Sequence, residues 1–411
     1  MSDRSTATPA AAAAVDRPER PRGALPALCL TQITSWGIVY YAFPVLNPQI
    51  TLATGWSATA TTAAFSAALL VSAVAGIRVG RILDARGPRT VMTAGSVVGA
   101  ASLLIIASAP NLALFTSGWL LAGLAMACTF YQPAFAALTR WWAPDHVRAL
   151  TIVTLAGGLA STVFAPLTAQ LANHFGWRHT YLILALVLAT VTVPVHAYAL
   201  RGPWPPAPPP TTTGKAASTA VITRSRPFLL LATALTLSAF AMYAVVVTLV
   251  PLLLDRGYTA TEAAWALGLG GAGQTLGRTL YAALARRSSP ALRAAALIGL
   301  GGATTAAFAL IPGPYALLAA LAVIAGTVRG NLTLLQATAI TDRWGANAYG
   351  RLSGLLAAPT TTASALAPFA GTALAVPLGG YPNLFAVLAL VSAAAALIAW
   401  NTAPIMASGM Q

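Results

Sequence analysis

Acidic side chains are scarce in this sequence. Its 411 residues include only 8 Asp and Glu against 23 Lys and Arg, and 8% of the chain is charged, where a soluble domain carries about 25%. A surface so poor in charge cannot be kept in water, which excludes a soluble enzyme. Lysine is reduced to Lys215, and cysteine to Cys29 and Cys128, both inside apolar runs, so a disulfide framework is excluded as well. No histidine, cysteine and acid cluster has metal-ligand spacing, and no glycine-rich phosphate loop or catalytic constellation occurs. Neither metal nor cofactor is expected. What fills the chain is apolar: 57% hydrophobic residues and a mean hydropathy of +0.74. They fall in runs of about 20 residues, the length a helix needs to cross about 30 Å of hydrocarbon. The class implied is an all-α integral membrane protein whose partner is the lipid bilayer. Its net charge of +15 is better read as topology than as nucleic-acid binding.

Apolar runs set against helix breakers predict twelve transmembrane helices. Six lie near Leu25 to Leu46, Ala58 to Val79, Val91 to Ser108, Leu112 to Leu138, Ala149 to Leu171 and Tyr181 to Leu200. Six more lie near Phe228 to Leu254, Glu262 to Leu284, Ala294 to Ile311, Tyr315 to Ile340, Leu352 to Val376 and Leu384 to Ala403. Five segments follow: a disordered tail over 1–23, a six-helix bundle over 24–201, a Pro-rich linker over 202–226, a second six-helix bundle over 227–403 and a tail over 404–411. With both termini cytoplasmic, 18 of the 23 basic residues fall in the tail, the even-numbered loops and the linker; only Arg178 and Arg256 fall outside. Arg78, at the inner boundary of the second span, reads as snorkelling, and His196, near the inner end of the sixth, as interfacial.

The two halves repeat. Arg140-Trp141 returns as Arg343-Trp344 and Arg148 as Arg351, all at a spacing of 203. Gly55-Trp56-Ser57-Ala58-Thr59 is echoed by Gly257-Tyr258-Thr259-Ala260-Thr261, and Tyr41 by Tyr243, at 202. Parallel six-helix repeats imply two bundles around an axis along the membrane normal, a substrate site between them near the midplane, and rocking between inward and outward states.

The loop Gly80-Arg81-Ile82-Leu83-Asp84-Ala85-Arg86-Gly87-Pro88-Arg89 matches the G-x-x-x-D-x-x-G-x-R/K pattern of the major facilitator superfamily, which the chain resembles from Leu25 to Ala403. The resemblance implies the major facilitator fold and a gating role for Asp84, which would stabilise the outward-facing state. Arg86 and Arg89 would hold the loop at the anionic membrane face. The second-half counterpart, Tyr281 to Arg287, lacks the acid. Arg140, Arg148, Arg343 and Arg351 are the other gating candidates. Arg140-Trp141-Trp142 through Arg148, Ala156-Gly157-Gly158 and Phe175-Gly176-Trp177-Arg178 resemble the monocarboxylate-porter-like branch. That branch carries an acid before the Gly-aromatic pattern of the first span, where this chain reads Thr34-Ser35-Trp36-Gly37. Ala165-Pro166-Leu167-Thr168-Ala169 stands where drug antiporters carry Gly-Pro-x-x-Gly-Gly.

No acid is placed at mid-membrane, but two cations are. At ~1.5 Å per residue, Arg329 lies roughly 3 Å and Arg278 roughly 8 Å from the centres of their spans. Intramembrane ions face a cavity or a partner, and two cations without a carboxylate make an anion site, since a guanidinium holds a carboxylate or phosphate by two parallel hydrogen bonds. Gln274, Arg278 and Tyr281 follow i, i+4, i+7, and so do Arg329, Thr333 and Gln336, giving each helix one wet stripe. The resemblance supports the eighth-span arginine, which monocarboxylate porters use to bind the substrate carboxylate; they commonly carry an aspartate where this chain has Gln274. From the first half, Trp36, Tyr40 and Asn47 share a helical face, and Tyr131 with Gln132 interrupts the fourth span. With Tyr41 and Tyr243 they complete the candidate lining.

The leading expectation is a secondary transporter, not an enzyme, that moves a small organic anion of monocarboxylate type by alternating access. A monomer in a bacterial inner (cell) membrane is expected. The alternatives are an exporter of hydrophobic drugs or natural products that uses the aromatic lining, and a non-transporting membrane sensor or scaffold.

Overall fold

The computed structural model describes residues 21–142, 146–204, 221–344 and 349–402, with side chains from 352 onward in the last stretch. Residues 1–20 of the expected tail, 205–220 of the linker and the tail over 404–411 lie outside the described residues, as does the side chain of Arg351. All regular structure among the described residues is helical. Eight runs are long and apolar enough to cross a membrane, and one of them, His146–Ala199, contains two spans that meet at Gly176 (φ 71°, ψ 169°). The other three spans are 24–54, interrupted near its middle, the glycine-rich Ala260–Arg287, and Tyr349–Ala375. Numbered in chain order, these make spans 1 to 12. Observed helices overrun the expected apolar runs, span 2 as far as Arg86 and span 7 from Arg226. Hydropathy marks only the hydrocarbon, whereas backbone hydrogen bonding continues into the interface until a residue such as Gly87-Pro88 ends it.

The internal repeat has a local cause. Gly55 and Gly257 close spans 1 and 7 at φ 75° and 85°, a left-handed conformation that a side chain resists. Ser57 and Thr259 then cap the next helices by accepting from Ala60 N and Glu262 N. The two arginines on the weakly basic face also match. Arg178 donates to the Ala107 carbonyl and Arg256 to that of Ile311, so each neutralises the negative end of span 3 or span 9, where a cation is favoured. They carry helix ends rather than topology.

Three of the spans are interrupted along their length. In span 1 a π-helical stretch, Trp36–Tyr41, separates Ala24–Ser35 from Ala42–Thr54. Span 4 breaks at Phe130 because Pro133 clashes with the carbonyl four residues earlier, Thr129. The fully buried Gln32 donates to the freed Thr129 carbonyl at 2.7 Å. Span 5 breaks at Leu159, between His146–Gly158 and the helix that starts at Ala160.

One buried cluster, from Ile38 to Phe385, runs across both halves toward the face opposite the termini. Toward the basic face each half has its own, around Trp141 and Leu138 in the first and Leu231 and Leu335 in the second. The halves meet along antiparallel pairs of spans. Between 5 and 8, Asn173 bonds Thr261 and Thr162 bonds the Gly268 carbonyl; between 2 and 11, Phe369 N donates to Ser66. His196, expected at the interface, is fully buried with Nδ1 2.9 Å from Ser96 Oγ of span 3. The apolar run continues past it, and Ser96 supplies its partner.

Among the described residues, each half shows an ion pair on the basic face. Asp84, in the last turn of span 2, pairs with Arg140 at the end of span 4, and Trp204 stacks on that guanidinium while donating to the Asp84 carbonyl. In the second half the missing acid is supplied from the other end: Asp342, beyond span 10, pairs with Arg293 of span 9. The polarity is exchanged between loops. Arg293 is 3% exposed and Asp342 26%, whereas Asp84 is 61% exposed. Asp342→Asn should therefore destabilise the protein by about 2 kcal/mol by leaving a buried cation unpaired, and Asp84→Asn by less than about 1 kcal/mol. Thermal melting of the full chain in detergent reads the difference, and equal losses would contradict it.

Candidate functional site

Spans 8 and 10 bring the two arginines onto one wall. Their backbones touch through Gly273 and Gly277 on one side and Gly326 and Gly330 on the other, positions where any Cβ would strike the facing main chain. Small residues four apart are what allows such contact between membrane helices. Arg278 and Arg329 sit roughly 7 Å and 4 Å from the middles of their helices at ~1.5 Å per residue.

A cavity of about 130 Å³ lies between the halves, lined by Trp36, Tyr40, Tyr41, Tyr131, Gly157, Tyr243, Gln274, Arg278, Arg329 and Thr333, with Met242 and Val246. It has room for on the order of ten waters. Nine of the thirteen expected binding residues are brought together here. Gln132 lines an adjoining chamber of about 300 Å³ that shares Trp36, Tyr40, Tyr131 and Tyr243 as walls. Asn47, Tyr281 and Gln336 are not part of either lining. The π-helical turn widens span 1 after Trp36, so Asn47 no longer shares its face; it lines a separate pocket with Asp255 and Tyr381. Tyr281 belongs to the second-half ion cluster, its hydroxyl 2.6 Å from Thr338 Oγ1 and its ring beside Arg293. Gln336, one turn beyond Thr333, lies past the end of the cavity.

Arg278 is 6% exposed and donates to the Thr154 carbonyl of span 5. Arg329 donates from Nε to Gln274 Oε1 at 2.9 Å. Neither pairs with a carboxylate among the described residues. Gln274 therefore orients Arg329 without neutralising it. Arg278 Nε, Arg329 Nη2, Trp36 Nε1 and the Tyr40 hydroxyl are buried and have no hydrogen-bond partner among the described residues. Gln274→Glu, which pairs Arg329 internally, should weaken anion binding by about tenfold, the effect of an opposite charge held at contact distance; titration calorimetry with lactate reads it, and unaltered affinity would show that Arg329 does not meet the guest.

Of the gating candidates, Asp84 and Arg140 meet as described. Arg89 donates to the Ala197 carbonyl at 2.9 Å, and Arg343 to the Pro290 carbonyl at 3.0 Å, with burial lowering the Arg343 pKa to about 10. Arg86 and Arg148 are exposed, as is Arg78. Gln32, Arg293 and the two glycine series of spans 8 and 10 are not among the residues expected from the sequence. The four-residue spacing of Gly273 and Gly277, and of Gly326 and Gly330, was the signal for the last.

Comparison with known proteins agrees with this architecture. The model of the Major Facilitator Superfamily matches residues 28–358. Monocarboxylate transporter 13 of Bos taurus is 33% identical over 205 residues, 49% of this chain and 47% of its own. Human monocarboxylate transporter 11 is 30% identical over 253 residues, 58% of this chain and 52% of its own. The chain thus aligns with about half the length of these relatives. Among solved structures, a bacterial homolog of the human lysosomal transporter Spinster, in an inward-facing and occupied conformation, superposes with a TM-score of 0.74 at 14% identity, covering 92% of this chain and 96% of that one. The nucleoside transporter NupG gives 0.74 at 13% identity over 92% and 98%. A chain whose described residues form twelve helical spans in two bundles, matched over most of its length by the family model, belongs to the Major Facilitator Superfamily: it is an integral membrane transporter and not an enzyme.

Proposed function

We propose that this transporter moves a small organic anion of monocarboxylate type by alternating access, with Arg278 and Arg329 as its positive locus. The observation that carries the reading is the donor set. Two guanidiniums and the Trp36 and Tyr40 donors belong to the lining of one cavity and retain unpaired groups, and no acid pairs with either arginine among the described residues. Each central arginine costs about 2.5–3.5 kcal/mol on insertion scales. A guest that offers only acceptors and a negative charge offsets that cost, and a carboxylate does both. The names of the monocarboxylate transporter relatives support the same class.

The shared core toward one face and the separate cores toward the other describe a pathway closed opposite the basic face. Rocking the halves about the central cavity would exchange the two. The distribution of arginines favours a cytoplasmic location for the basic face and both termini, in a bacterial cell membrane, with a monomer as the working unit.

Counterflow of labelled lactate in proteoliposomes tests the charge requirement. Unlabelled lactate should compete at a concentration about a hundredfold below that of lactamide, its neutral counterpart, as expected when a charge-assisted pair worth ~3 kcal/mol is lost. Equal competition by the amide would remove the anion reading and favour export of hydrophobic compounds.

A further inference from the structure

Beside the arginines the cavity has a second compartment of a different chemistry. The chamber of about 300 Å³ is walled by Trp36, Phe130, Tyr131 and Met126, and among the described residues no Asp, Glu, Lys, Arg or His contributes to its lining. Trp36 stacks on Phe130 with ring centroids 4.0 Å apart and lies 5.2 Å from Tyr131.

The internal repeat explains the contrast. At a spacing of 202 between spans 2 and 8 and 203 between spans 4 and 10, Gln274, Arg278, Arg329 and Thr333 correspond to Ser72, Gly76, Met126 and Phe130. Ser72, Met126 and Phe130 line the larger chamber, and Gly76 lies against the Gln132 side chain. The two chambers are therefore repeat-related, one furnished with guanidiniums and the other with a serine, a methionine and an aromatic ring. Where one half places arginine, the other leaves uncharged volume. Trp36, Tyr40, Tyr131 and Tyr243 line both, so the two chambers adjoin at these four side chains.

From this we infer that the substrate is a monocarboxylate with an aromatic body, its carboxylate at Arg278 and Arg329 and its ring in the larger chamber beside Trp36 and Phe130. The inference rests on the anion reading and narrows it. A two- or three-carbon acid fills only the smaller chamber and gains nothing from the aromatic walls. A dicarboxylate long enough to bridge both would desolvate its second charge where no cation waits. A ring gains burial and face or edge contacts with the indole and phenyl walls.

The test uses the full-length transporter in detergent and in proteoliposomes, with 3-phenylpropionate, acetate and glutarate as probes. Half-saturation for 3-phenylpropionate should lie at least about tenfold below that for acetate or glutarate. Ala73→Phe, which fills the larger chamber, should collapse that ratio, and Ser364→Leu serves as a second filling variant where the first fails to fold. Equal half-saturation for 3-phenylpropionate and acetate, or a ratio that neither filling variant alters, overturns the inference while leaving the anion reading in place. If Arg329→Gln leaves the binding of all three acids intact, the anion reading itself falls and the aromatic assignment with it. Tighter binding of glutarate than of 3-phenylpropionate also overturns the inference, because it requires a second charge to be accepted in the charge-free chamber.

Discussion

Arg329→Gln is expected to lower anion transport by about a hundredfold or more while leaving the protein at least as stable as the parent. The two effects have one cause. Arg329 is a cation near mid-membrane whose only side-chain partner among the described residues is the neutral Gln274, and its Nη2 has no acceptor among them. Removing it relieves a desolvation cost of about 2.5–3.5 kcal/mol, so melting of the variant should be unchanged or raised. With the guest bound, the same guanidinium meets a carboxylate in a water-poor cavity. Truncating one partner of such a buried pair costs about 2–5 kcal/mol, between roughly thirty- and several-thousandfold in affinity.

Arg278→Gln should lose less, because its guanidinium is already engaged by the Thr154 carbonyl and spends part of its hydrogen-bonding capacity within the protein. Arg329→Lys keeps the charge but not the planar fork, and should fall between the parent and Arg329→Gln. Counterflow and thermal melting on the same preparations decide the matter. A variant that loses transport together with several degrees of stability would show Arg329 to be a packing residue, and one that keeps both would show that it faces no guest.

Much of this arrangement could be read before any coordinates. Hydropathy placed all twelve spans, because a hydrocarbon core imposes one length and one chemistry on every helix that crosses it. Arg278 and Arg329 stood out because a mid-membrane cation has few structural reasons to be there. Helical periodicity puts Gln274 and Thr333 on the faces that line the cavity, but Asn47 lies elsewhere, since one wide turn at Trp36–Tyr41 changes the phase of everything beyond it and leaves no mark in composition. Tyr281 and Gln336 lie outside the cavity for a different reason. Periodicity reports which face a residue occupies and not how far along the helix the cavity runs, and the second-half ion cluster claims Tyr281 first.

The Arg293 to Asp342 pair was out of reach because its members come from different spans, and only three-dimensional neighbourhood joins them. Gly158 was visible only as part of a resemblance. Its physical role needs the opposite helix to be in place.

That role makes Gly158→Val the second large effect. A Cβ at Gly158 would stand 2.6 Å from Thr275 Oγ1 and 3.1 Å from Arg278 Nη1, so the residue sets how closely spans 5 and 8 approach. Along the same seam, a Cβ at Gly271 would collide with the Ser161 hydroxyl, and Thr275 Oγ1 donates to the Leu155 carbonyl at 3.3 Å. Valine adds branched bulk that meets the Thr275 and Arg278 side chains of the facing helix. Overpacking of this kind costs about 1–3 kcal/mol, and here it falls on the contact between the halves rather than on the core of either. Each bundle should fold, whereas the closed seam loses population by roughly ten- to a hundredfold, and transport, which must pass through that state, falls with it.

Disulfide capture can follow the seam itself. Asn173 Nδ2 and Thr261 Oγ1 are 3.0 Å apart at its outer end, so Asn173→Cys with Thr261→Cys should cross-link readily in the parent and poorly alongside Gly158→Val. Thr275→Ala removes the atom nearest the new Cβ and should restore part of the activity of Gly158→Ala, giving a coupling of about 1 kcal/mol in a double-mutant cycle. Additive losses would place the defect inside span 5. Undiminished cross-linking and transport in Gly158→Val would mean that the halves do not work through this contact.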